Sequence, residues 1–135
     1  MFLLELSKTE KQTFLNLANL IVGTDGVVMD AEKQMLAQYA AEMQLKDEDI
    51  VVETDLDKLI ADAKEFSPRV KRIVYVELLA IANVDGLFDE KEKAIFVQLA
   101  KAFQYDEAFV EAAIERIDFY ISASQSLSNF IAEGE

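Results

Sequence analysis

The sequence predicts an all-α fold: a compact bundle of about seven helices with internal duplication about a pseudo-two-fold axis. Three observations predict it. Chain breakers are sparse, with one proline and four glycines in 135 residues, which suits long helices joined by short turns. Apolar residues recur at helical spacing behind recognisable capping residues. No segment alternates polar and apolar residues for long enough to argue a strand. Ile50-Val51-Val52 is β-prone but isolated, and one strand makes no sheet.

Ser7-Lys8-Thr9-Glu10 is a capping box, in which serine and glutamate satisfy each other's free backbone N–H groups, so a first helix begins near Lys8. Its continuation over 14–22 is apolar on most sides and implies a helix surrounded by others. It stops at Gly23-Thr24-Asp25-Gly26. A second helix is expected over about 30–43, with Met35, Leu36, Tyr39, Ala40 and Met43 on one stripe. The stretch 46–49 is charged, with room for a short helix after it. Asp55 caps a helix over 56–66 that turns Leu56, Leu59, Ile60 and Ala63 inward.

Ser67-Pro68 is the clearest start signal, an N-cap serine with proline at the first helical position. The helix it opens runs to about Val84 and is again apolar on most sides, so it is the second central helix. Val84-Asp85-Gly86 ends it. Asp89 caps the next, whose stripe is Ile95, Phe96, Leu99 and Phe103. Asp106 caps another, with Phe109, Val110, Ala113, Ile114 and Ile117 inward, and Ser126 caps a last short helix around 127–132.

The length is that of one domain, 1–135, able to bury a real core. Hydrophobic residues make up 52% of it, which argues against disorder. Acidic residues outnumber basic ones 26 to 13, a net charge of −13. Such a chain repels nucleic acid phosphates and anionic lipid, and suits cations, a basic protein partner or simple solubility. Cysteine, histidine and tryptophan are absent. Disulfides, thiolate or imidazole metal sites, and Cys–His or Ser–His–Asp catalysis are therefore excluded. A metal here is a hard, oxygen-liganded cation such as calcium, magnesium or manganese. Met1-Phe2-Leu3-Leu4 is cut short by Glu5, and the most apolar stretches, 14–22 and 73–84, are too short to cross a bilayer. The expected location is cytoplasmic, without membrane insertion.

Two helix breaks are related. Residues 25–33, Asp-Gly-Val-Val-Met-Asp-Ala-Glu-Lys, align with 85–93, Asp-Gly-Leu-Phe-Asp-Glu-Lys-Glu-Lys, at an offset of 60. The same register matches Ile21 with Ile81, Gln38 with Gln98 and Ala40 with Ala100. Each copy is a mostly apolar helix, an Asp-Gly turn and an amphipathic helix. The repeat units span about 8–45 and 68–105. Gly26 and Gly86 are expected in the left-handed conformation past a helix end, with Val28 and Phe88 tucked into the core.

The repeated Asp-Gly…Glu element is not an EF-hand. With Gly86 at loop position six, the first ligand position falls on Ile81, and in the other copy on Ile21, where a carboxylate is required. Asp89 and Glu92 have the spacing of a capping box. In the first copy Met29 stands in place of Asp89, yet Glu32 is kept. Two readings stay open: local capping in each half, or convergence of Asp25, Glu32, Asp85 and Glu92 on one cation about the pseudo-dyad.

A helix ending in Asp-Gly, a hydrophobe two residues on and a glutamate early in the next helix, occurring twice, resembles the tellurite-resistance TerB-like domain family. Leu17-Ala18-Asn19-Leu20-Ile21-Val22 and Leu79-Ala80-Ile81-Ala82-Asn83-Val84 fit it too, so the resemblance covers nearly the whole chain. It implies a duplicated bundle of about seven helices, a bacterial cytoplasmic protein tied to stress or tellurite resistance, and no established catalysis. It also implies an acidic cluster that binds a divalent cation. By position this is Asp25, Glu32, Asp85 and Glu92, with Asp30 and Glu90 as weaker matches; Met29 departs from the polar residue expected there. The alternative is a purely structural protein-interaction module with an acidic surface and no metal site.

Arg69, Lys71 and Arg72 form the only basic cluster, expected to pair with Asp55, Asp57, Asp62 and Glu65. Tyr105, Phe109, Phe119 and Tyr120 are expected in the core. The carboxylates are too evenly spread to nominate an acid–base pair, so the chain is not read as an enzyme.

Overall fold

A computed structural model describes residues 2–23, 30–46, 49–82 and 90–134. After a short 3-10 turn, Leu3–Glu5, come six α-helices: α1 Lys8–Val22, α2 Asp30–Glu42, α3 Leu56–Lys64, α4 Pro68–Ala82, α5 Glu90–Phe103 and α6 Glu107–Ala132. No strand occurs among the described residues. The corner segments 24–29 and 83–89, with Gly26, Gly86, Val28, Phe88 and Asp89, lie outside them.

The capping residues set the helix starts. Ser7 Oγ accepts the Glu10 N–H while the Glu10 carboxylate accepts the Ser7 N–H at 2.8 Å. Asp55 accepts the N–H groups of Asp57 and Lys58, and Asp106 accepts that of Phe109 at 2.8 Å. Ser67 Oγ accepts the Val70 N–H at 3.2 Å, just before Pro68. Each side chain satisfies a donor that the helix cannot, a contribution of about 1 kcal/mol per cap.

The central helices α1 and α4 pack on each other, α1 also on α2 and α3, and α4 also on α5 and α6. Phe14, Leu17, Ala18 and Ile21 of α1 and Val74, Tyr75, Leu78, Leu79 and Ile81 of α4 are buried in one core. Met43, Leu59, Ala63, Ile95, Phe96, Leu99, Phe103, Ala113 and Ile117 close over it. From Thr13 on α1 and Ile73 on α4 the two helices are wrapped by others and leave little solvent face for charge, which is why both stretches read as apolar nearly all round.

The register of 60 recurs in the backbone. Helices α1 and α4 have 15 residues each and start behind Ser7 and Ser67. Both following helices end in the same cap. Gln44 and Gln104 take the left-handed conformation, φ 59° and 61°. Leu45 N–H then donates to Ala40 O at 2.9 Å, and Tyr105 N–H to Ala100 O at 2.8 Å. The bonds from Gln44 N–H to Ala41 O and from Gln104 N–H to Lys101 O complete two Schellman motifs.

Several expectations are corrected. Six α-helices are present among the described residues rather than about seven. Ser126 does not start a new helix, because α6 runs through it to Ala132. No glycine or proline interrupts 107–132, so the intrahelical ladder outcompetes a serine cap. The chain after Asp49 is extended rather than helical: Gln12 Nε2 donates to Asp49 O at 2.6 Å and Asn16 Nδ2 to Val51 O at 2.8 Å, strapping it along α1. Arg69 pairs with Glu5 at 2.7 Å instead of with α3. Arg72 lies 4.9 Å from the Phe109 ring centre and Lys71 5.8 Å from that of Phe103, cation–π contacts rather than ion pairs. Phe119 and Tyr120 are exposed between Ile117 and Ile121, the residues that α6 turns to the core there.

Glu77 is fully buried on α4, and its Oε1 accepts the Phe2 N–H at 2.9 Å. That bond ties the first turn, with buried Leu3, to the central helix. No helix among the described residues is long and apolar enough to cross a membrane.

A non-glycine residue in the left-handed region carries a steric cost of about 1 kcal/mol. Gln44→Gly and Gln104→Gly are each expected to raise stability by about 0.5–1 kcal/mol, read as a higher urea midpoint at unchanged slope. Opposite signs at the two positions would contradict their equivalence.

Candidate functional site

The acidic residues of the repeat bracket the two corners. Glu90 and Glu92 stand in the first turn of α5. Glu90 is exposed; Glu92 is half-buried, with Oε2 shielded from solvent. The backbones of Asp30 and Glu32 open α2 in the same register, but their side chains lie outside the described residues. Asp25 and Asp85 lie outside them entirely. Among the described residues no three carboxylates are grouped to hold a metal ion. Of the four predicted ligands, only Glu92 has a described side chain.

A second feature escaped the sequence reading. A groove of about 850 Å³ opens between α4, α5 and α6. Tyr75 and Leu79 line it from α4; Phe96, Val97 and Ala100 from α5; Tyr105 from the turn; and Val110 and Ile114 from α6. Lys93, Lys101, Asp106, Glu107 and Asp118 stand around it. The register of α5 explains the lining, because Phe96, Val97 and Ala100 fall on one side at helical spacing.

Three aromatic rings, Tyr75, Phe96 and Tyr105, line its inner wall, with Phe109 packed against Tyr105. Tyr75 meets Phe96 edge to face at 5.7 Å and Tyr105 at 5.3 Å. Tyr105 stacks on Phe109 at 3.9 Å. The hydroxyls of Tyr75 and Tyr105 are shielded from water and have no hydrogen-bond partner among the described residues. Buried tyrosine hydroxyls usually find one. Tyr75 went unnoticed because it lies inside an apolar run, Ile73-Val74-Tyr75-Val76. The available signal was that run's one polar atom, on a helix predicted to be surrounded.

Burial disfavours the phenolate. It pushes Tyr75 up to about 12, helped by nearby Tyr105, and pushes Tyr105 upward too against the lowering effect of Arg72. On α2, Tyr39 is pushed up to about 12 by burial first, then by the charges of Glu77 and Glu42. Chemically the groove offers apolar contact and neutral phenolic donors.

Compared with known protein families, curated proteins and solved structures, the chain matches none.

The tyrosines make alkaline stability predictable. Above pH 10 the unfolded chain loses phenolic protons that Tyr39 and Tyr75 keep in the fold. The unfolded state then binds fewer protons, so stability is complete below about pH 10 and falls as pH rises toward 12. Tyrosinate absorbance is expected to show three of the four tyrosines, Tyr39, Tyr75 and Tyr105, ionising late, together with loss of helical circular dichroism. Smooth ionisation of all four near pH 10 with the helices intact would contradict this.

Proposed function

We propose that this chain is a non-enzymatic binding domain of the TerB-like kind, of bacterial cytoplasmic stress or tellurite-resistance type, whose two Asp-Gly…Glu corners hold one divalent cation. The reading rests on the register of 60. Helices α1 and α4 start behind serine caps in that register, and α2 and α5 close with the same left-handed glutamine. We read this as a duplication. On this reading Asp25 with Glu32 and Asp85 with Glu92 are the matching halves of one site. The net charge of −13 raises the local concentration of cations. With no cysteine or histidine, calcium, magnesium and manganese are the candidates.

Calorimetric titration with each of these ions is the test. One ion is expected to bind at about one per chain, and Asp25→Asn with Asp85→Asn to reduce affinity at least tenfold, on the order of 1.4 kcal/mol. Equal heats for the wild type and the double variant would remove the cation.

A second reading is a protein-interaction module without metal. It is favoured by the outer part of α6, where Phe119, Leu127, Phe130 and Ile131 are exposed and no charge occurs between Asp118 and Glu133. The two readings separate on a chelator: it lowers the melting temperature of a protein stabilised by bound cation and leaves that of a metal-free module unchanged.

A further inference from the structure

We propose that the groove between α4, α5 and α6 binds an uncharged, lipid-like molecule carrying a carbonyl oxygen, which accepts hydrogen bonds from Tyr75 and Tyr105. The site is distinct from the acidic corners and does not depend on the cation reading.

Size and lining set the first requirement. About 850 Å³ lies within the range of small-molecule sites, which is roughly 300–1,000 Å³. The walls are Leu79, Phe96, Val97, Ala100, Val110 and Ile114, which recognise hydrocarbon only. Val97 is 66% exposed, a large apolar side chain on an open wall.

The hydroxyls set the second requirement. Tyr75 is 0% exposed, and its Oη, like that of Tyr105, has no partner among the described residues. Such a group has given up its hydrogen bonds to water without gaining one in the fold. Phenylalanine fills the same space without that cost, so the two polar atoms call for an acceptor. The two rings meet edge to face, with centres 5.3 Å apart at 84°. Burial keeps both phenols protonated, and hence donors, across the physiological range. A carbonyl oxygen, with two lone pairs, accepts from both.

The charges around the groove set the third. Two lysines, Lys93 and Lys101, face three carboxylates, Asp106, Glu107 and Asp118, on a chain of net charge −13. This surround gives an anionic head group no advantage, and burying a carboxylate beside neutral phenols is costly. The ligand is therefore neutral.

Access runs past Tyr105. Its ring is half-buried, stacked on Phe109, and carried on the turn that follows left-handed Gln104. Both hydroxyls are shielded from water in this arrangement, so a ligand oxygen reaches Tyr75 only when the Tyr105 ring is displaced.

The test uses the full chain and the neutral dye Nile red, displaced by 2-decanone, decane or decanoate. The ketone is expected to displace the dye at a concentration at least about tenfold below that of decane or decanoate. Tyr75→Phe with Tyr105→Phe is expected to abolish that advantage while leaving decane unchanged; helical circular dichroism and melting temperature verify that the variant folds. Val97→Glu, on the open wall, is expected to weaken all three. Failure of Nile red to bind overturns the proposal. So does equal potency of ketone and decane, or a ketone preference that survives in the double variant. Dimerisation lost in Val97→Glu, without probe binding, would assign the groove to a second copy of the chain and overturn it as well.

Discussion

Two fifteen-residue helices, α1 and α4, lie against each other with most of their side chains out of water. Every other element is placed by what these two need covered. Helices α2 and α3 cover α1; α5 and α6 cover α4. Burying a large aliphatic or aromatic side chain contributes about 1.5–3 kcal/mol, so Phe14, Leu17, Ile21, Leu78, Leu79 and Ile81 set the driving force. The remaining helices are amphipathic because each turns one face to the bundle and the other to water.

The same constraint explains where polar groups are tolerated inside. Asn16 is buried on α1, and its amide holds the extended segment at both Val51 O and Glu53 N–H. Glu77, buried on α4, is anchored through the Phe2 N–H. Buried polar atoms persist where they tie irregular chain to a central helix. The Tyr75 and Tyr105 hydroxyls tie nothing among the described residues, and they lie where α4, α5 and α6 leave a groove. That contrast separates a structural polar group from one that suits a ligand.

Much of the fold was legible because its signals are local. Ser7 with Glu10, Asp55, Ser67 before Pro68, and Asp106 each act within three residues, and each caps as its spacing implies. The repeat was legible as side-chain identities, and the paired left-handed glutamines extend its register into the backbone. What escaped is non-local. Arg69 finds Glu5, 64 residues away. Ser126 looks like a cap, but a helix already under way continues through it. Phe119 looks like core, but hydrophobicity alone does not say which face of a helix meets the core. Of the candidate site, the sequence offered the acidic spacing but not the groove, because tyrosine within an apolar run reads as packing.

Amide hydrogen exchange addresses the central claim, that α1 and α4 form one cooperative unit on which both halves depend. The account predicts that core amides of both helices exchange last, at one common rate set by global unfolding, with α6 beyond Ile121 exchanging early. Exchange of α1 well before α4, or the reverse, would mean that the halves open independently and would contradict it.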